Sequence, residues 1–383
     1  MQNNIKNDNQ TVYRNKTKII KMEQAELKEQ HRKLKYCEAI REALDQSMAR
    51  DSSVFIIGEG VPDPKGIFGT TLGLQKKYGE ERVMDMPVSE NGMTGACIGA
   101  ALTGLRPILT HQRVDFSLLS LDQIINNAAK WHYMFGGQLK VPLVIKMIIG
   151  QGWGQGAQHS QNLQALFFHI PGLKVVMPSN AYDAKGLLLA SIEDNNPVIF
   201  IEHRWLHNLS GYVPEEYYTI PLGKGKIVRP GKDLTLVSTS PMIIEAVKAI
   251  DFLKSNENYY FTIELIDIRT LKPLDDEIII NSVKKTGKLL VLDSGYCTGG
   301  FAGEVIAKVT ENAFAFLKVP PQRITLPDVP TPTSPGLSQY YYPTYKDIVR
   351  KILEIFNIKE TNHKFPEEKY PHDVPDPSFT GPF

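Results

Sequence analysis

From Tyr36 to Phe200 apolar runs alternate with helical stretches, in the order expected of a parallel sheet covered on both faces. Short runs rich in Val, Ile and Leu predict strands at Val54-Gly58, Arg82-Met86, Pro107-Thr110, Leu143-Met147, Lys174-Met177 and Val198-Glu202. Helical periodicity fills the intervals, at Lys35-Ala49, Met93-Thr103, Leu118-Met134, Gln161-His169 and Ala181-Asp194. The fold class is therefore α/β, with a doubly wound, mostly parallel sheet.

A change of character follows. Pro214, Glu215, Glu216, Pro221, Gly223, Gly225 and Pro230 interrupt any sustained period, so residues 206–230 read as a linker. A second, smaller α/β unit occupies 231–356. Its strands are expected at Leu234-Ser238, Phe261-Asp267, Lys288-Asp293 and Arg323-Leu326, and its helices at Ile243-Ser255, Asp275-Thr286, Gly303-Ala315 and Tyr345-Phe356. Residues 357–383 form a Pro-rich, charged tail too polar to bury a core, either disordered or draped over a neighbour. Residues 1–34 form an N-terminal extension in which Glu23, Glu26 and Glu29 interleave with Lys28, Arg32 and Lys33, the pattern of an exposed charged helix.

Charge narrows the partners. With 43 basic against 42 acidic residues there is no clustered excess to hold a nucleic acid or an anionic membrane surface. No apolar run reaches membrane-spanning length, and the N-terminus is polar where a secretory signal would be greasy; its basic excess leaves an organelle-targeting segment as the alternative. Cys37, Cys97 and Cys297 are odd in number and widely spaced, which suggests neither a disulfide framework nor a zinc site and fits a cytoplasmic location.

Two segments carry candidate chemistry. Met86-Pro87-Val88-Ser89-Glu90 aims one carboxylate into the start of a Gly/Ala-rich helix, where a helix dipole alone would suffice to explain it. Downstream, Gly150, Gly152, Gly154 and Gly156 alternate with larger residues and deliver His159, expected at a helix start where the dipole would favour a neutral ring. The glycine spacing matches neither a dinucleotide fingerprint nor a phosphate P-loop. Gln123 and Asn126 are expected as buried amides with structural hydrogen bonds, Gly136-Gly137 as a helix C-cap, and Met86 and Phe116 as core, with an aromatic ring also suited to stacking on a flat heterocycle.

Taken together, Met84 to Gly92, Asp122 to Lys130, Tyr133 to Gly137, Gly156 to Gln161, Pro171 to Val176, Asp183 to Leu187, Asp328-Val329-Pro330 and Tyr341-Tyr342-Pro343 resemble the beta subunits of thiamine-diphosphate-dependent 2-oxo acid dehydrogenases. Those enzymes act on pyruvate, branched-chain oxo acids or acetoin. The resemblance covers about residues 35 to 356 and implies a pyrimidine-binding domain over 35–205 followed by a transketolase-like C-terminal domain. It implies that Glu90 shares a proton with the cofactor's pyrimidine ring, that Phe116 stacks on that ring with Met86 beside it, and that His159 serves the substrate side during acyl transfer to a lipoyl carrier. Burial beside Met86 and Val88 would suit Glu90 to that exchange, since desolvation favours the protonated carboxyl. The resemblance also implies a structural potassium ion on backbone oxygens near Leu143, Ser191, Asp194 and Asn196.

The diphosphate and magnesium half of such sites uses a Gly-Asp-Gly motif, and the chain contains none. The resemblance therefore implies an alpha partner that holds the diphosphate and the magnesium, an alpha-two beta-two assembly with a beta-beta two-fold contact, and a lipoyl acyltransferase as acceptor. Some positions depart from the family pattern. Lys146 stands where an arginine is usual, a lysine being no substitute for a bidentate clamp, and Thr110 to Val114, Trp205-Leu206-His207 and Ser338-Gln339 also differ. These departures keep two other readings open, a transketolase-like carboligase with an aldehyde or sugar acceptor and an inactive scaffold subunit.

Overall fold

The computed structural model describes residues 32–150, 155–255, 259–358 and 365–366. Two strands of the first sheet are buried along their whole length, β5 (Val144–Ile149) and β7 (Val198–His203). Such unbroken burial, mostly of apolar residues, occurs where a parallel sheet is covered on both faces. Around them lie β2 (Val54–Gly58), β3 (Val83–Met84), β4 (Arg106–His111) and β6 (Lys174–Val176), and the sheet order is β12-β6-β7-β5-β4-β2-β3. All of its pairings are parallel except the outermost, where β12 (Thr270–Lys272) runs antiparallel to β6.

Helices Tyr36–Arg50 and Ala181–Glu193 cover one face and pack on each other. The second begins with the Asn180 side chain accepting from the Asp183 amide at 2.9 Å. Helix Glu90–Leu102 covers the other face, and the core beneath it runs on without a break into Val237, Ile266 and Phe301 of the second unit. That unit has the sheet order β14-β13-β10-β11-β9, from β9 (Lys226–Arg229), β10 (Leu234–Ser238), β11 (Ile263–Asp267), β13 (Leu289–Tyr296) and β14 (Gln322–Leu326). Its helices Pro241–Lys254 and Tyr345–Ile355 pack together.

Several expectations change. The stretch expected to link the units carries two strands: β8 (Ser210–Tyr212), paired with β1 (Lys33–Lys35) from the end of the expected extension, and the antiparallel edge strand β9. Both are short and largely exposed, so neither has the apolar alternation that would have revealed it. The single helix expected over 118–134 is a 3-10 turn at Phe116–Ser120, a π-helix at Gln123–Ala128 and a short helix at Trp131–Met134. Asn126 is exposed there and Gln123 only half-buried, not the buried amides expected. The amides act locally instead: Asn126 donates to Asp122 at 2.8 Å and Asn127 to Gln123 at 3.2 Å. Gly136 and Gly137 do close this segment with positive φ, the Gly137 amide donating to the His132 carbonyl at 2.8 Å. Of the tail, Phe365 stacks on Phe252 with ring centroids 5.0 Å apart, so at this point the tail covers its own chain. The charged pattern of residues 23–29 and Gly152 and Gly154 lie outside the described residues. Among the described residues no helix is long and apolar enough to cross a membrane, and all three cysteines are free.

Candidate active site

The turn Pro87-Val88-Ser89 brings Glu90 to the first position of helix Glu90–Leu102. Glu90 is only 4% exposed, yet no described residue hydrogen-bonds its carboxyl group; its one local bond is through the backbone, whose carbonyl accepts from the Thr94 hydroxyl at 2.7 Å. A carboxyl set this deep, touching little solvent and held by no described side chain, is poorly stabilised until a ligand completes it. Met86 is buried next to it in sequence. Glu59, at the end of β2, is a neighbouring carboxyl: burial and then the charges of Glu90 and Asp85 push its pKa up. Asp85 is held in turn by the Gly60 amide, 2.9 Å from its Oδ1.

The Gly/Ala-rich side of helix Glu90–Leu102 lets it approach the Phe116–Ser120 turn and the π-helix closely. A Cβ added at Gly95 would sit 3.3 Å from the Gln123 side-chain oxygen. This packing places Phe116 on the site's flank. Across from Phe116 lies His159, with ring centroids 5.5 Å apart and planes inclined by 44°. His159 Nδ1 is 2.8 Å from Asp115 Oδ2, which leaves Nε2 as the nitrogen free to face a ligand. The imidazole is not at a helix start, as expected from sequence, but is the last residue of the four-residue turn Gly156–His159. Its environment is thus set by a carboxylate and not by a helix dipole. The rim opens to solvent: Val88 is 82% exposed and Leu119 60%.

The sequence matches two family models, "Transketolase, pyrimidine binding domain" over residues 32–208 and "Transketolase, C-terminal domain" over 223–348. It is 43% identical over 330 residues to the acetoin:2,6-dichlorophenolindophenol oxidoreductase subunit beta of Bacillus subtilis, covering 83% of this chain and 96% of that one. To the pyruvate dehydrogenase E1 component subunit beta of Rickettsia conorii it is 41% identical over 318 residues, covering 83% and 97%. The chain belongs to the beta subunits of the thiamine-diphosphate-dependent 2-oxo acid dehydrogenases. Among solved structures, a split-gene transketolase described as an inactive beta4 tetramer superposes with a TM-score of 0.68 over 85% of this chain and all (100%) of that one; at 21% identity it bears on the fold alone.

In this beta subunit the Lys146 position does not face a substrate. Lys146 is fully buried and pairs with Glu202 at 2.6 Å, while His207 Nε2 lies 2.9 Å from the other carboxylate oxygen. Burial alone would raise the Glu202 pKa; the charge of Lys146 and the hydrogen bond from His207 overcome it and hold the carboxyl below its usual value. Two of the departures from the family pattern, Lys146 and His207, thus meet on one carboxylate and are explained by each other. Leu143, Ser191, Asp194 and Asn196 lie apart from this cluster. The Leu143 carbonyl accepts from the Val198 amide at 2.9 Å, the Asp194 carbonyl from Arg106 at 3.1 Å, and the Asp194 carboxylate holds Lys174 and the Asn196 amide. Among the described residues no group of His, Cys, Asp and Glu side chains is arranged to hold a metal ion.

Sequence reasoning gave Asp115 and Glu59 no role. Asp115 directly precedes Phe116, and Glu59 directly follows β2 at the carboxyl ends of the parallel strands, the edge where α/β sheets bind ligands. Either position would have been a reason to consider it.

Proposed function

We propose that this beta subunit binds the pyrimidine half of thiamine diphosphate between Glu90 and Phe116, with Met86 against the ring and His159 on the substrate side. The observation that carries the reading is the Glu90 carboxyl, buried at a helix start with no hydrogen-bond partner among the described residues. A ring nitrogen would supply that partner and exchange a proton with it. Bound there, the cofactor supplies a carbon nucleophile toward the carbonyl of a 2-oxo acid and accepts the electrons left when carbon dioxide departs. The protein's part is to hold the proton at Glu90, to fix the ring against Phe116, and to present His159 Nε2 to the acyl group as it moves to a lipoyl acceptor. The Asp115 carboxylate orients that imidazole.

The exposed apolar rim at Val88 and Leu119 supports an alpha partner that covers the site and brings the diphosphate and magnesium half, in an alpha-two beta-two assembly. A potassium ion on the backbone oxygens of Leu143, Ser191, Asp194 and Asn196 belongs to the same proposal; it would share the Asp194 carbonyl with Arg106. The free cysteines suit a reducing compartment such as the cytoplasm. The test is co-expression with an alpha-type chain, then titration with thiamine diphosphate and a decarboxylation assay across a panel of 2-oxo acids. Saturable binding with turnover of at least one acid is expected. A stable pair that binds no cofactor would refute the reading.

A further inference from the structure

At the C-terminal ends of β4, β5 and β7 lies a second group of buried polar side chains, beside Gly150 and apart from the Glu90 carboxyl. Arg113 is 5% exposed, and neither of its terminal guanidinium nitrogens has a hydrogen-bond partner among the described residues. The same holds for Nε2 of His111, the last residue of β4, and Nε2 of His203, the last residue of β7. The Arg113 and Arg204 guanidinium carbons lie 5.4 and 4.4 Å from the centre of the Phe68 ring, so two cations share one aromatic platform. A Cβ added at Gly150 would sit 3.5 Å from His203 Cε1 and 3.1 Å from Arg204 Cβ, which closes the group on the β5 side.

Among the described residues no carboxylate pairs with Arg113. Glu202 is taken by Lys146 and His207; the charge of Asp115 reaches Arg113, but its Oδ2 is held by His159 and its Oδ1 makes no hydrogen bond. A buried guanidinium with its planar fork unfilled is among the most expensive features a fold can keep, and its geometry matches an oxyanion. We propose that Arg113, with His111 and His203, forms a binding site for an oxyanion, the carboxylate or phosphate group of a small acidic ligand. Burial and then the charge of Arg204 push the Arg113 pKa down to about 10, against the smaller opposing pull of Asp115. Arg113 lies two residues before Asp115 and three before Phe116. An anion held here would therefore sit on the loop that also flanks the candidate active site. The site stands on its own geometry and does not rest on the cofactor reading.

The test uses the full chain without thiamine diphosphate, titrated with inorganic phosphate and separately with succinate, with chloride at matched ionic strength as control, and read by calorimetry and thermal melting. Saturable binding of either anion is expected; phosphate alone would assign a phosphorylated ligand and succinate alone a carboxylate. Arg113→Met should weaken that binding by about tenfold to a hundredfold. The same variant should melt higher than the wild type in anion-free buffer, because it removes a buried charge without a partner. The proposal is overturned if neither anion binds, if Arg113→Met binds as well as the wild type, or if Arg113→Met melts lower in anion-free buffer.

Discussion

Asp115 Oδ2 sits 2.8 Å from His159 Nδ1, joining residues 44 positions apart in sequence. The bond fixes which ring nitrogen points away from the protein and holds the imidazole against Phe116. Asp115→Asn keeps the shape but can present its NH2 group to Nδ1 and select the other tautomer. Turnover should fall by tenfold or more, approaching the loss of His159→Ala, which is expected on the order of a hundredfold. Steady-state kinetics with a lipoyl acceptor, compared with decarboxylation measured by an artificial oxidant, check it. The transfer step should suffer more than decarboxylation.

Glu90→Gln should remove cofactor-dependent activity while the melting temperature stays level or rises, because the substitution relieves a buried, unpartnered carboxyl. A purely structural helix-start role predicts the reverse, full activity with a stability loss of about 1 kcal/mol or less. Differential scanning calorimetry beside the activity assay separates the two.

Lys146→Met leaves Glu202 fully buried with only His207 beside it. Breaking a buried pair from one side costs about 3–5 kcal/mol. Lys146→Met combined with Glu202→Gln should recover part of that loss in urea denaturation, since no charge is then stranded.

Stability should depend on acid through the histidines. Burial pushes the pKa values of His111 and His207 down to about 4 and that of His203 to about 3, from 6.5. The unfolded chain therefore binds these protons at higher pH than the folded one, and stability is lost as pH falls below about 6.5. Asp267 works the other way. Burial raises its pKa to about 7, so the folded chain keeps a proton that the unfolded chain releases, and this contribution grows as pH falls from 7 toward 4. Glu59 and Asp293, also raised by burial, act in the same direction as Asp267, while Asp51, Asp194, Glu202, Asp233 and Glu264, held below their usual values, join the histidines in losing stability as pH falls. The melting temperature should drop from pH 6.5 to 4, and Asp267→Asn should make the drop steeper.

Glu90 was legible because a proline turn and a Gly/Ala-rich helix frame it within ten residues, and β5 and β7 because a strand buried on both faces is apolar at most of its positions. Lys146 was visible as a departure, but its meaning lay in Glu202 and His207, which only folding brings to it. The break at Gln123–Ala128 escaped notice because a π-turn shifts the helical period by one residue while leaving the composition helical. His159 was found through its glycine loop, yet its end of the short turn and its carboxylate partner depended on a contact with another strand's loop.

The last strand of the first sheet comes from the second unit. β12 borders β6, the Met177 amide donates to the Arg269 carbonyl at 2.8 Å, and Arg269 clasps Asp183 of the first unit. A gene shortened between residues 177 and 270 would therefore yield a product whose β6 shows an open row of amides and carbonyls to every other copy, an invitation to aggregate. The halves of this chain are woven together, and a working protein has to be inherited whole.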